Sequence, residues 1–233
     1  MRSILAIVLA VLSASALAED VPLPRERPNP PVQAEKSAPE TASSKPRIFQ
    51  TACPAVIAGM VAAKALPPIS EGQCGEQSPL ALSGVMANGR MVEVTGDPTI
   101  NCELASALPA WASAVDGYVS AHDKSRIAAI NVGTSYSCRD RRTGEANTDL
   151  SEHAFADALD VTGFTLEDGR TVTVEKGWQG TYADGKGIVR FAHDAACTSF
   201  MTVLGPDANA LHHDHLHLDF GCHGKACTAR LCE

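Results

Sequence analysis

The chain has 233 residues, 27 acidic side chains against 19 basic ones, and a formal net charge of −8. No run of Lys and Arg interrupts that acidic balance, which argues against nucleic acid and against lipid headgroups as partners. Only 5% of the residues are aromatic while eight are cysteines, so covalent staples are expected to help stiffen the fold.

Arg2, the apolar run ILAIVLAVL and the ending Ala16-Leu17-Ala18 read as a secretory signal peptide over residues 1–18, cleaved before Glu19. The apolar run is shorter than the roughly 18 residues needed to span a bilayer, and no second such run follows. No cysteine stands just after the cleavage point to carry a lipid. The mature chain is therefore expected to be exported, with no membrane insertion after cleavage. Residues 19–46 hold seven of the 14 prolines and almost nothing apolar, the composition of a disordered, partly polyproline-II spacer. Residues 47–233 are long enough for one well-cored domain.

Within that domain CPAVIAGMVAAKAL (53–66) reads as an Ala-rich helix, followed by a loop with Gly72 and Gly75. GRMVEVTG (89–96) reads as a short strand bounded by glycines. ELASALPAWASAVDGYVSA (103–121) has helical spacing, with Pro109 starting the helix proper or kinking it. IAAINV (127–132) reads as a buried strand. ALDVTGF (158–164) and TVTVEKG (171–177) read as a hairpin around EDGR. FAHDAACTSFMTVLG (191–205) reads as a helix closed by Gly205-Pro206, and DHLHLDF (214–220) as a last strand. Hairpins and helices without βαβ alternation predict an α+β domain, a small mostly antiparallel sheet with flanking helices. Cys53, Cys74, Cys102, Cys138, Cys197, Cys222, Cys227 and Cys232 are an even set behind an export signal, so they predict disulfides of open connectivity. The rival reading, a zinc site at CHGKAC, has loose ligand spacing.

Chemistry concentrates in two places. In the last strand Leu216, Leu218 and Phe220 alternate with His213, His215, His217 and Asp219, so one face suits a core and the other a polar site. An H-x-H pair there suits two metal ligands, or one ligand with a catalytic neighbour. In SEHAFADALDV (151–161), His153 and Asp160 are too far apart along a continuous helix, and on opposite faces of a continuous strand, to share an ion. They meet only if the chain turns between them, with His153 on a loop and Asp160 in a strand whose Leu159 and Val161 face the core. His, Asp and His are the donors of an open catalytic zinc site.

YSCRDR, SEHAFADALDVTGF, ACTSFMTVLGPDAN and HDHLHLDF, together with CELASALPAW, resemble the LAS-type zinc peptidases. That group contains D-Ala-D-Ala carboxypeptidases and the penicillin-insensitive murein endopeptidase, with the hedgehog signalling domain as a fold relative. The chain is most similar to bacterial proteins carrying the extensin-like C-terminal domain, over about residues 53–221. The resemblance implies a Zn²⁺ ion on His153, Asp160 and His217. It implies His215 and Asp214 as the groups that move protons, and Arg139 as a substrate-side cation. It also implies a Cys138–Cys197 disulfide steadying the Arg139 loop. His212 and His213 fall outside the matched pattern, as residues that stand behind the ligands or in solvent, with His213 sharing the ligand face; His122, His193 and His223 read as ordinary histidines. One residue departs from the pattern: where the family has a glycine after His153, this chain has Ala156, a strained choice if the backbone there takes positive φ. The implied function is an exported, periplasmic zinc peptidase that hydrolyses peptidoglycan stem peptides or cross-links. The alternative is a non-catalytic wall-binding or scaffolding module on the same fold.

Overall fold

The computed structural model describes residues 49–141 and 149–233. The signal peptide and spacer expected over 1–46 lie outside the described residues. A one-turn helix α1 (Pro54–Ile57) leads into strands β1 (Val61–Ala65), β2 (Ile69–Glu71), β3 (Cys74–Glu76), β4 (Leu80–Ala87), β5 (Arg90–Val94) and β6 (Thr99–Ile100). The long helix α2 (Cys102–Asp123) follows, then β7 (Ile127–Val132), β8 (Ala158–Leu166) and β9 (Thr171–Thr173). After α3 (Val174–Gly177) and α4 (Lys186–Ser199) come β10 (Thr202–Leu204), β11 (Leu216–Asp219) and β12 (Leu231–Cys232).

Among the described residues ten strands form one sheet along the path β1-β4-β5-β7-β8-β11-β10-β12, with β6 on β4 and β9 on β8. The β5–β7 and β10–β12 pairings are parallel and the others antiparallel. The domain is thus mixed α and β around a mostly antiparallel sheet, as its sequence pattern predicts, although with ten strands the sheet is larger than the small one expected. Its core joins both helices to the sheet: Trp111 of α2 is buried against Phe164 and Phe200, and its indole N–H donates to the Ala192 carbonyl of α4 at 2.8 Å. Burying each such side chain contributes roughly 1.5–3 kcal/mol, so a few large rings anchor a core otherwise built of Leu, Val, Ile and Ala. No described helix is long and apolar enough to cross a membrane.

Several expected elements differ. The helix expected over 53–66 stops after one turn, because Gly59 takes φ +67° and Val61–Ala65 then pairs with β4; sheet pairing outweighs alanine's helix preference. The stretch 171–177 is strand only to Thr173, whose hydroxyl accepts from the Lys176 amide and caps a helical turn. The helix expected over 191–205 begins earlier, at Lys186, and ends at Ser199; Thr202–Leu204 is instead paired with β11. Helix α2 runs continuously through Pro109.

Four disulfides join Cys53–Cys102, Cys74–Cys138, Cys197–Cys232 and Cys222–Cys227. The Cys138–Cys197 pairing is therefore corrected. Cys138 reaches the β2–β3 hairpin, with Cα atoms of Cys74 and Cys138 5.6 Å apart, whereas Cys197 on α4 faces Cys232 of β12. The CHGKAC stretch closes on itself as a disulfide loop. Cys138, next to Arg139, is thus tied to the β2–β3 hairpin rather than to α4.

Candidate metal centre

Asp160 of β8 and His217 of β11 are direct partners across an antiparallel pair, so their side chains rise from the same face of the sheet. Leu159 and Val161 point the other way, into the core with Leu216 and Leu218. His153 arrives from a 3₁₀ turn, Glu152–Phe155, that ends just before β8. A backbone reversal at Ala156, φ +54° and ψ 23°, closes that turn. The chain thus bends between His153 and Asp160, and the three residues converge while buried.

Three donor atoms face one another. Asp160 Oδ1 lies 3.2 Å from His153 Nε2 and 3.0 Å from His217 Nδ1, and the two ring nitrogens are 3.2 Å apart. Each imidazole has committed its other nitrogen: His153 Nδ1–H donates to the Ser135 carbonyl at 2.5 Å, and His217 Nε2–H donates to Asp219 Oδ2 at 2.7 Å. Both lone pairs that remain therefore aim at the carboxylate and at each other, an arrangement that needs a proton or a cation at its centre. Tetrahedral zinc with bonds near 2.1 Å sets ligand atoms about 3.4 Å apart, close to the observed triangle. The carbonyl and carboxylate behind the two histidines are the outer partners that fix ligand tautomers in zinc sites. The donor set fits zinc.

The charges agree with this geometry. Burial alone would raise the Asp160 pKa, but hydrogen bonds and charge from His153 and His217 hold it far below the usual carboxylate range. Burial alone would lower that of His217, but Asp160 and Asp219 on its two sides outweigh it and hold it up at about 9. Asp219 behaves like Asp160: burial pushes up, and His217 pulls it down overall.

The other expected residues divide. His215, just before β11, sends Nε2 to within 3.5 Å of Asp160 Oδ1, while its Nδ1 is held by Asp214 Oδ1 at 2.9 Å. Asp214 thus stands behind His215, outside the ligand triangle. Arg139 lines the same cleft, about 950 Å³ in volume, with Arg141, Glu152, Leu204 and Leu231 on its walls. His213 does not join the site: it is exposed, and its ring turns to the Ala210 carbonyl, because it sits in the turn before the strand rather than on the ligand face.

His212, not His213, enters the cleft, with its ring 5.2 Å from that of His215 and 5.8 Å from that of His217. Asn209 Oδ1 holds its Nδ1 at 3.0 Å, and burial beside His217 and His215 pulls its pKa down to about 4. A neutral ring next to the centre is the result. Asp219 and Ser135 are the partners that motif spacing did not single out, although Asp219 lies in register with His217 on the alternating strand. His223 lines the cleft as well, with Nε2 2.7 Å from the Thr202 hydroxyl. His122 stacks beside Tyr118 and His193 sits against Trp178, both away from this centre.

A second grouping of donor residues, His193, Cys197 and Cys232, has its two sulfurs joined in a disulfide. No match was found among curated proteins or among solved structures. The model of the family described as extensin-like protein C-terminus matches residues 51–233, which takes in every element of the sheet and all the residues of the centre, and the chain belongs to that family.

Proposed function

We propose that the domain is a zinc-dependent peptidase of the LAS type that hydrolyses peptidoglycan stem peptides or cross-links outside the cytoplasm. The observation that carries this reading is the triangle of His153 Nε2, Asp160 Oδ1 and His217 Nδ1, with both histidines oriented from behind. Zinc on these three side chains would supply a Lewis acid and an acidified water at a fourth, open position.

The chain's own residues then divide the remaining work. His215 presents Nε2 toward the centre and can take a proton there and return it to a leaving amine. Asp214 fixes the His215 ring by accepting from Nδ1–H. Arg139 offers a planar cation on the cleft wall that suits a substrate carboxylate. Leu204 and Leu231 give the cleft an apolar side for short aliphatic side chains. Four disulfides suit an oxidising compartment, which supports export to the periplasm. A pure wall-binding module has no use for a base held beside a ligand triangle, which favours the enzyme reading.

The test is metal content of the purified, oxidised protein alongside Asp160→Ala, followed by incubation with wall peptides. About one zinc per chain, lost in the variant, together with peptide cleavage, is the expected result. Iron in place of zinc, or a zinc-loaded protein that leaves every wall peptide intact, would sink the proposal.

A further inference from the structure

The corner where β6 meets α2 touches the ligand-bearing turn at two consecutive residues. Asn101, which caps the start of α2, donates its backbone N–H to the Ala156 carbonyl at 2.7 Å and its side-chain Nδ2–H to Asp157 Oδ1 at 2.6 Å. Its Oδ1 accepts from the Leu104 amide at 2.8 Å, which settles which amide atom is the oxygen and leaves Nδ2 as the donor. Ala156 is the reversal between His153 and Asp160, and Asp157 follows it directly. The same corner also reaches the far side of His153. There the Thr99 amide donates to the Ser135 hydroxyl at 3.0 Å, and the Ser135 carbonyl is the group that takes His153 Nδ1–H. Cys102, next in the chain after Asn101, is joined by its disulfide to Cys53.

We propose that Asn101 is a positioning residue for the metal centre, whose side chain grips Asp157 and so holds the turn that carries His153 to Asp160; the inference rests on the metal-centre reading above. The hydrogen bonds of Asn101 go to Leu104, Ala156 and Asp157, none of them a ligand, so its effect is on ligand placement. Asp157 lies between the two ligands in the chain, and a shift of its backbone changes how His153 and Asp160 face each other. The turn contains an alanine at φ +54°, a conformation that a residue with a Cβ resists. Bonds from outside the turn therefore help to keep it closed. The Asn101 amide divides its work between two atoms: Oδ1 caps the helix, and Nδ2 holds the turn. Substitution can separate the two.

The experiment measures zinc affinity of the oxidised full chain by competition with a chromophoric chelator. It compares wild type, Asn101→Ser, Asn101→Asp and the exchange that combines Asn101→Asp with Asp157→Asn. Burial raises the Asp157 pKa to about 7, so the assay is run at a pH above that value. Serine and aspartate cap helices as asparagine does, so α2 keeps its start in every variant and the bond to Asp157 is what changes. Serine is too short to reach Asp157, and aspartate sets one carboxylate against another. Removing an outer partner of a zinc ligand characteristically weakens binding about 10–100-fold. Asn101→Ser is expected to weaken zinc about tenfold, the low end of that range, because the backbone bond to Ala156 survives. Asn101→Asp is expected to weaken it at least as much, although its added negative charge alone would favour a cation. The exchange reverses donor and acceptor at unchanged net charge, and is expected to return affinity to within about threefold of wild type. Wild-type affinity in Asn101→Ser, or an exchange no better than Asn101→Asp alone, would overturn the inference and leave the centre standing. Asn101→Ser adds no charge, so it decides the point even if Asn101→Asp does not fold. A wild-type protein that binds no zinc would overturn both.

Discussion

His217 Nε2 stands 2.7 Å from Oδ2 of Asp219, two residues further along the same strand, while Nδ1 of the same ring stands 3.0 Å from Asp160. Without metal, this ring between two carboxylates keeps its proton, with a pKa of about 9 against an ordinary value near 6.5. A raised folded-state pKa stabilises fully below the unfolded value and is lost as pH climbs through the folded one. The metal-free protein is therefore expected to lose on the order of 2–3 kcal/mol of stability between about pH 6.5 and 9. Denaturant melts in chelator across that range measure it, and Asp219→Asn should flatten the profile. Zinc affinity should run the opposite way and rise over the same window, since the ion competes with the Nδ1 proton. A metal-free stability that does not change with pH would contradict the geometry of this ring.

His215 and Asp214 are separable by substitution. His215 Nε2 faces the centre, and Asp214 touches only the far nitrogen of that ring. On the proposed peptidase reading, His215→Ala is expected to bind zinc as wild type does and to lose about 10²–10⁴-fold in kcat on a wall peptide, the range of a general acid–base group. Asp214→Asn should retain a larger share of activity, because it disturbs the orientation of the base and leaves the base in place. Asp214→Asn proving as severe as His215→Ala, with zinc retained in both, would move the proton-transfer role to Asp214.

Away from the centre, Asp116 of α2 carries a densely hydrogen-bonded carboxylate. It is fully buried, takes a two-pronged hydrogen bond from Arg126, and also accepts from Arg90, Asn88 and the Ile127 amide. Burial pushes its pKa up, but these donors pull it below the ordinary value overall. Its stabilisation is thus present above about pH 4 and is lost as pH falls through the lower folded value. Asp116→Ala is expected to cost about 2–4 kcal/mol. The lower end applies because both guanidinium groups keep about a third of their surface in water and can be rehydrated there. Chemical denaturation at neutral pH checks the figure, and a cost under about 0.5 kcal/mol, the scale of an ordinary surface substitution, would contradict it.

The site was more legible in the sequence than parts of the fold that hold it. H-x-H on an alternating strand and the His153–Asp160 spacing carry their meaning in side-chain type and offset, and the structure brings His153, Asp160 and His217 together. Strand β4 left no such mark. Its buried positions run Leu80, Leu82 and then Val85 and Ala87, so the alternation slips at Gly84 and the stretch passes for a loop. The alanines after Cys53 favour a helix locally, and only the partner strand, distant in sequence, reveals β1. His212 and His213 are adjacent and chemically identical; which one enters the cleft depends on the Asn209-capped turn, a feature of backbone direction rather than composition. Disulfide pairing is a statement about distance, and Cys74 reaches Cys138 through the β2–β3 hairpin, which spacing alone does not place.

Ala156 stands where the resembled pattern has glycine, and its φ of +54° meets the condition under which alanine is strained. The strain is about 1–2 kcal/mol for a side chain in the left-handed region. Two gains offset it. The methyl group is completely buried, worth about 0.8 kcal/mol, and alanine restricts the unfolded chain by about 0.4–1 kcal/mol relative to glycine. Ala156→Gly is therefore expected to leave stability within about 1 kcal/mol of wild type and to keep zinc affinity, since the backbone bonds at this turn stay as they are: the Ala156 carbonyl still accepts from the Asn101 amide at 2.7 Å. Ala156→Val adds a β-branched side chain to the same left-handed, filled position and is expected to cost more than about 2 kcal/mol and to weaken zinc by displacing His153. Equilibrium unfolding and chelator competition on the two variants decide it. A large gain from glycine would show that the turn holding His153 is strained beyond what its burial offsets, and that the departure from the family pattern has loosened the centre.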